Sequence, residues 1–524
     1  MITFKDILSN DEVIEEYKKI DKQNKYPFNH GLQHIKNVCD LMIKLCAALK
    51  IDEEEKECLL IACALHDIGQ VDGRDSHGLK ARNYIIKNYE EQLKEYTYYN
   101  DILNAVEHHD QKVNLQQLPL FTNLVCFADK MDFSFKRLEE NYKEQFGYIA
   151  YEDVISVDFE CDNKIFTLKI KTTEKINKED LLMEYKFFYK VITATITISK
   201  KMGVDYCIKV NDEIVSLMDI IRSNVNRLKN KMSLNIDSIF IEENNMVDTY
   251  FYGDENLHPL YSVSKLLTAM AVGIAIKKQM KIKGKNFNLE TNVYDILKDK
   301  VNITNIKNIE KIRKWTLKDL LLHSTGYDKQ MLSERYISDI DKNDLLNYAL
   351  NYDIPHEVGN RYAYNNVEPF IISVLFSECF GANLSDFINE NIFKKLDIKE
   401  YDWNNYGKYC PGATGLYLKH SDFHKLGQLL LNEGKYKGDQ VIPSKWIKEI
   451  VGPQMNTPNE YKESRVFPKI SVGYYTFISR DGYVFRDGKN GQYIIMNKDK
   501  NLLITILSSE ENMKNITEIF RDVL

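Results

Sequence analysis

The sequence predicts a multidomain chain: an all-α domain with a small α+β appendage, followed by an α/β (α+β) domain in which a sheet backs a buried helix. Three observations carry this. The chain has 524 residues, 44% of them hydrophobic, enough apolar surface for several cores. Apolar residues recur at spacings of three and four up to about residue 132, then change to strand-like alternation. Beyond residue 235, strand-like segments lead into one almost uninterrupted apolar helix after Lys265.

Composition narrows the function classes. A net charge of −7, with lysines interleaved among acids, gives no basis for binding a nucleic-acid polymer and points to small-molecule substrates. No apolar run reaches the roughly 18 residues a membrane span needs, and Met1–Glu12 shows no basic region followed by an apolar core. The nine cysteines are odd in number and form no C-x-x-C pair, as in reduced thiols. A cytoplasmic protein with no membrane partner is the expectation; the sequence is silent on oligomeric state.

The helical region is rich in histidine. His30, His34, His66, His77, His108 and His109 are six of the eleven in the chain, in a window where even scatter would place about two. Segments 35–49 and 55–65 read as amphipathic helices, and Leu65-His66-Asp67-Ile68-Gly69 puts an imidazole beside a carboxylate at a helix end that Gly69 would stop. Imidazole nitrogens and carboxylates suit Mn, Fe or Zn, and a bridging Asp among several His can hold one or two ions. Over residues 26–135 the ordered set resembles the HD superfamily of metal-dependent phosphohydrolases. That resemblance implies a metal held by His34, His66, Asp67 and Asp129, with His77, His108 and His109 placed for a second ion. It further implies hydrolysis of a phosphoester, of nucleotide type, without a Ser or Cys nucleophile. His30 could share a face with His34, and Lys130 and Asp132 could assist with the phosphate or leaving group.

Segments Val154–Cys161 and Lys164–Thr172 read as a hairpin around Asp162-Asn163, with Phe166, Leu168 and Ile170 on one face. A helix over 177–202 ends at Gly203. The expected domains are therefore 1–212, with a core at 26–135 and an appendage at 150–212, and 213–524.

In the second domain Ser262-Val263-Ser264-Lys265 heads the apolar helix. Residues three apart share a helix face, so a buried Lys265 can reach the Ser262 hydroxyl and, having lost its proton, act as a base. Thr316 can cap a short helix that leads to His323 and to a turn at Gly326, and a buried structural imidazole is the simpler reading of His323. Tyr364-Asn365-Asn366 offers a phenol that can relay a proton and an amide that can orient the lysine. Arg486-Asp487-Gly488-Lys489 lies between two strand-like segments, at an edge that can approach a ligand closely.

From about residue 235 to the end, these three motifs together resemble the serine beta-lactamase and penicillin-binding-protein superfamily, in its class C and esterase-type branch. The resemblance implies an antiparallel sheet flanked by helices and an acyl-enzyme. Ser262 would be the nucleophile, Lys265 the base or its partner, Tyr364 the relay and Asn366 the orienting amide, with no cofactor. Arg486, Gly488 and Lys489 would form the oxyanion and substrate edge, where the N–H groups of Ser262 and Lys489 complete the oxyanion hole. One departure stands out. Arg486-Asp487-Gly488 replaces the Lys-Thr-Gly or His-x-Gly of the family, and Asp487 would repel a substrate carboxylate unless paired. The expectation is a two-domain hydrolase acting on a phosphoester and on an ester or amide. The alternative is that one domain is a non-catalytic sensor, a nucleotide-binding HD pocket or an inactive penicillin-binding-like module.

Overall fold

The computed structural model describes residues 1–25, 27–110, 117–132, 138–144, 152–184, 188–229, 233–301, 303–333, 337–462 and 467–520. The chain packs as two compact units, Met1–Ser233 with Ile519–Leu524, and Leu234–Glu518.

The first unit is built around the helix Glu53–Leu65. The Asp52 carboxylate caps it by accepting the N–H groups of Glu54 and Glu55, three acids fill its first turn, and every residue from Cys58 to Leu65 is buried. Helices Leu32–Leu49, His77–Leu93, Tyr99–His108 and Leu120–Lys130 surround it. Its last residue is Leu65, so His66 and Asp67 emerge at its C-terminal end.

Gly69 does not stop this helix. A 3-10 turn, Ile68–Asp72, follows the doublet, and Gly73, at φ +92°, ends that turn. Gly69 serves close approach instead, since a Cβ there would lie 2.1 Å from the His77 carbonyl oxygen. Gly78, in the next helix, is needed for the same reason, because a Cβ would meet the Glu107 carbonyl oxygen at 2.3 Å. Together they let the His77 helix lie against both the doublet turn and the helix leading to His109. Gly78→Ala should therefore cost about 2 kcal/mol or more in chemical denaturation, because backbone on both sides must shift. A loss below about 0.5 kcal/mol, the scatter of ordinary surface changes, would show that the approach is not needed.

In the appendage, strands Val154–Asp162 and Ile165–Thr172 pair antiparallel across Asn163 and Lys164, both at positive φ, as a tight hairpin turn requires. Phe166, Leu168 and Ile170 are buried. Strand Asp205–Val210 joins parallel to the second strand, and Glu213–Ile214 completes a four-stranded sheet. Helix Phe188–Met202 ends before Gly203, at φ +65°. Helix Leu217–Lys229 belongs to this unit, not to the next, so the division falls between Ser233 and Leu234 rather than at 212/213. The cause is its apolar stripe: Leu217, Ile221, Val225 and Leu228 are buried, and the Ser223 hydroxyl donates to the Leu182 carbonyl.

The second unit holds an eight-stranded antiparallel sheet in the order Met455–Asn456, Ser471–Val472, Phe477–Ile478, Val484–Gly488, Gln492–Asn497, Leu502–Ser508, Ile236–Glu243, Met246–Phe251. The strand Val484–Gly488 pairs with Phe477–Ile478 only at Val484 and Phe485, so Arg486, Asp487 and Gly488 run on past that neighbour. Helix Lys265–Lys277 is buried from Lys265 to Ala275, and helix Val367–Phe380 from Val367 to Phe376. Among the described residues no single helix is long and apolar enough to cross a membrane.

Candidate active sites

In the first unit the structure brings together His34, His66, Asp67, His77, His109 and Asp129. The tautomers follow from the hydrogen bonds. Nδ1 of His66 lies 2.8 Å from the Cys63 carbonyl oxygen, that of His77 2.8 Å from Arg74 O, and that of His109 2.7 Å from Val106 O. His34 Nδ1 lies 2.7 Å from the Asp132 carboxylate. Carbonyl and carboxylate oxygens only accept, so Nδ1 carries the hydrogen and Nε2 of the neutral ring is a bare lone pair.

These lone pairs converge on carboxylates and on one another. His34 Nε2 is 3.2 Å from Asp129 Oδ1, and His66 Nε2 is 3.3 Å from Asp67 Oδ2. His77 Nε2 is 3.0 Å from His109 Nε2 and 3.4 Å from Asp67 Oδ1. Nε2 of both His34 and His66 is buried without a hydrogen-bond partner among the described residues. Electron pairs held this close repel unless a cation lies among them, so the donor set fits a divalent metal with a preference for N and O ligands.

The remaining residues sort around this centre. His30 Nδ1 lies 2.6 Å from Asp67 Oδ2, Asp132 fixes His34, and Lys130 pairs with Asp129. Among the described residues three groupings of facing ligand atoms occur, His30 with His34 and Asp67, His34 with His66 and Asp129, and His66 with Asp67 and His109; His77 reaches the last through His109 Nε2, whereas His108 Nδ1 lies 3.0 Å from Asn104 O in its own helix.

In the second unit, Tyr261 at φ +46° turns the chain into a 3-10 turn, Tyr261–Ser264, which continues as the helix from Lys265. Residues three apart eclipse in a 3-10 turn, which places Ser262 and Lys265 on one side. Lys265 Nζ donates to Ser262 Oγ at 3.2 Å, Tyr364 OH at 2.9 Å, Asn366 Oδ1 at 2.6 Å and Ala413 O at 3.2 Å. The Tyr364 hydroxyl donates to Ser262 Oγ at 2.6 Å, closing a triangle. Burial pushes the Lys265 ammonium down to about 8, with Arg486 acting in the same sense. Burial would raise the Tyr364 phenol, yet Lys265 and Arg486 outweigh it and bring it to about 8.

Arg486 stands elsewhere than on the substrate edge. Its side chain is 1% exposed, and its guanidinium donates to the Ser262 carbonyl at 3.0 and 2.8 Å and to Tyr364 OH at 3.1 Å. Its charge thus lies beneath the serine, and it lines neither cavity beside Ser262. Gly488 gives room: a Cβ would lie 2.6 Å from Leu260 O, next to the serine turn. Ser262 and Lys489 line two cavities, of about 340 and 510 Å³.

Two residues of this region do not stand out as site residues in the sequence. Lys469 pairs with Asp487 at 2.9 Å and lies 3.6 Å from the centre of the Phe477 ring, so Asp487 is not a lone charge. Glu368 is fully buried and accepts the Thr325 hydroxyl at 2.6 Å. A signal exists for Glu368, the one charged residue in the apolar stretch Val367–Phe376. Lys469 has none.

The beta-lactamase family model matches residues 246–518, more than half of the chain, and the HD domain model matches residues 31–134. No curated protein matches the chain. Similar solved structures include the octameric penicillin-binding protein homologue from Pyrococcus abyssi, 13% identical over 58% of this chain and 76% of that one, with a TM-score of 0.48. Another is the penicillin binding protein from Bacillus halodurans, 13% identical over 57% and 97%, TM-score 0.44. A third is EstCE1, a hydrolase with promiscuous acyltransferase activity, 12% identical over 59% and 98%, TM-score 0.47. The chain therefore belongs to the beta-lactamase family and carries an HD domain ahead of that fold.

Proposed function

We propose that this two-domain hydrolase transfers an acyl group from an ester or amide to Ser262 in its second unit and cleaves a nucleotide-type phosphoester in its first. The observation that carries the acyl reading is the closed triangle of Ser262, Tyr364 and the buried Lys265, set beside two cavities. In the form of the pair that has lost one proton, Tyr364 is a phenolate stabilised by Lys265 and Arg486, and it is the nearer acceptor for the serine proton as Oγ attacks. The Oγ–C bond forms, the bond from carbon to the leaving oxygen or nitrogen breaks, and Tyr364 passes the proton to the leaving group. Water then repeats the sequence in reverse. Asn366 holds Lys265 in register, and the N–H groups of Ser262 and Lys489 receive the oxyanion. The Lys469–Asp487 pair favours a neutral substrate over one bearing a carboxylate, since any anion must approach a carboxylate whose counter-charge is already taken.

In the first unit His34, His66, Asp67 and Asp129 would hold one divalent ion and Asp67, His77 and His109 a second, as Mn, Fe or Zn. A metal bound there activates a water and polarises the phosphoryl oxygen. Asp132 keeps His34 in its ligating tautomer, and Lys130 and His30 bring positive charge to the carboxylates nearby. A cytosolic setting agrees with nine free cysteines. A panel of nucleotides and short-chain esters, run on the wild type, Ser262→Ala and His66→Ala, tests both halves. Ester cleavage should vanish only in the first variant and phosphatase activity only in the second. A wild type that cleaves neither class after Mn or Fe addition overturns the reading.

A further inference from the structure

The helix Val367–Phe380 opens directly after Asn366 and carries Glu368 in its first turn, 0% exposed. No step of the acyl reaction uses this residue, and it does not line either cavity beside Ser262. A carboxylate in a protein interior needs hydrogen bonds and positive potential to stay there. Glu368 has both. Oε1 accepts the Thr325 hydroxyl at 2.6 Å, Oε2 lies 3.1 Å from His323 Nδ1, and its place in a first helical turn is favourable.

His323 is the link to the chemistry. Its φ is +51°, a conformation that costs a non-glycine residue about 1–2 kcal/mol. The ring is buried, its centroid 5.3 Å from that of Tyr364 and 4.8 Å from that of Tyr475, and its Nε2 has no hydrogen-bond partner among the described residues. Burial holds this imidazole below its ordinary range, which leaves it neutral, with Nδ1–H donated to Glu368. A strained, half-satisfied ring held between a buried acid and the phenol closest to Ser262 is otherwise without a reason.

We propose that Glu368 is a positioning residue for acyl transfer: through His323 its buried carboxylate holds the Tyr364 ring against Ser262. Around it stand Lys265 at the head of its own helix, Arg486 on the strand Val484–Gly488, His323, Thr325 and Tyr327 on the segment after helix Leu317–Leu321, and Tyr475 beside the ring of His323. The carboxylate favours the charged form of Lys265, so its removal lowers the pH at which the lysine gives up its proton.

The inference rests on acyl chemistry at Ser262, and the test separates the two. The pH dependence of kcat/KM for a chromogenic short-chain ester is measured in the wild type, Glu368→Gln, Glu368→Asp and Thr325→Val. In Glu368→Gln the rising limb should move to lower pH by about half a unit or more, with kcat reduced and KM unchanged. Glu368→Asp should restore the wild-type midpoint. Thr325→Val removes a hydrogen bond but keeps the charge, so it should lower the melting temperature and leave the midpoint in place. A Gln variant with the wild-type midpoint, or a Thr325→Val midpoint displaced as far as that of Gln, overturns the proposal. Should the Gln chain fail to fold, His323→Asn decides. It keeps an N–H toward Glu368 but removes the ring beside Tyr364, and must lower kcat by about tenfold or more at constant KM; a wild-type kcat there refutes the positioning role. A wild type without esterase activity counts against the acyl reading itself, whereas an active wild type with unmoved variants counts against Glu368 alone.

Discussion

Lys265→Ala should lower kcat for a short-chain ester by about 10³-fold or more while leaving KM close to the wild-type value, because the ammonium touches the reacting oxygens and no substrate-binding surface. The lysine makes four contacts at once, to Ser262, Tyr364, Asn366 and Ala413. Without it the Tyr364 phenol loses the neighbour that does most to bring it down to about 8 and moves back toward its ordinary value, since only Arg486 and the Ser262 hydrogen bond then oppose burial. The sign of the pH dependence follows. Lys265 and Tyr364 both titrate near 8 and share their protons, so the wild-type rate should rise through about pH 8 as the pair loses one. In Lys265→Ala that limb should move to higher pH as well as fall in height. Steady-state kinetics from pH 6 to 10 with a chromogenic ester read both effects, and a variant that keeps more than a tenth of the wild-type kcat would remove the lysine from the mechanism.

How far the sequence discloses such a site depends on whether its components are local. Ser262 and Lys265 are one turn apart, and Tyr364 and Asn366 are two residues apart, so each pair is visible as a motif; the Thr316 cap is legible for the same reason, as is the hairpin, whose turn falls at Asn163-Lys164, one residue beyond the Asp162-Asn163 expected. Residues that act through tertiary contact are not. Arg486 reads as an edge residue because nothing in Arg-Asp-Gly tells that its side chain turns under Ser262, 224 positions away. Lys469 is one of many lysines until the strand order sets it against Asp487. Gly69 looks like a helix stop because glycine serves both left-handed caps and close packing, and only the neighbouring backbone distinguishes them. The division at Ser233 is hidden on similar grounds. An amphipathic helix such as Leu217–Lys229 shows that it needs a partner, but not which one.

The largest effect in the first unit should come from Asp67. Its two oxygens serve different sets of imidazoles: Oδ2 lies 2.6 Å from His30 Nδ1 and 3.3 Å from His66 Nε2, while Oδ1 lies 3.2 Å from His109 Nε2 and 3.4 Å from His77 Nε2. One carboxylate therefore stands between two groups of facing lone pairs. Asp67→Ala should lose both divalent ions, whereas His109→Ala should lose one and keep the ion held by His34, His66 and Asp129, and His108→Ala should lose neither. Elemental analysis after dialysis against Mn or Zn gives the stoichiometry directly. Thermal unfolding gives an independent measure, since an ion present at 100 times its dissociation constant stabilises the fold by about 2.7 kcal/mol. That increment should appear on adding metal to the wild type, diminish in His109→Ala and be absent in Asp67→Ala. Equal metal loss in the Asp67 and His109 variants would mean a single ion shared by all the ligands, and an unchanged content in Asp67→Ala would show that the carboxylate neutralises its histidines and holds no metal.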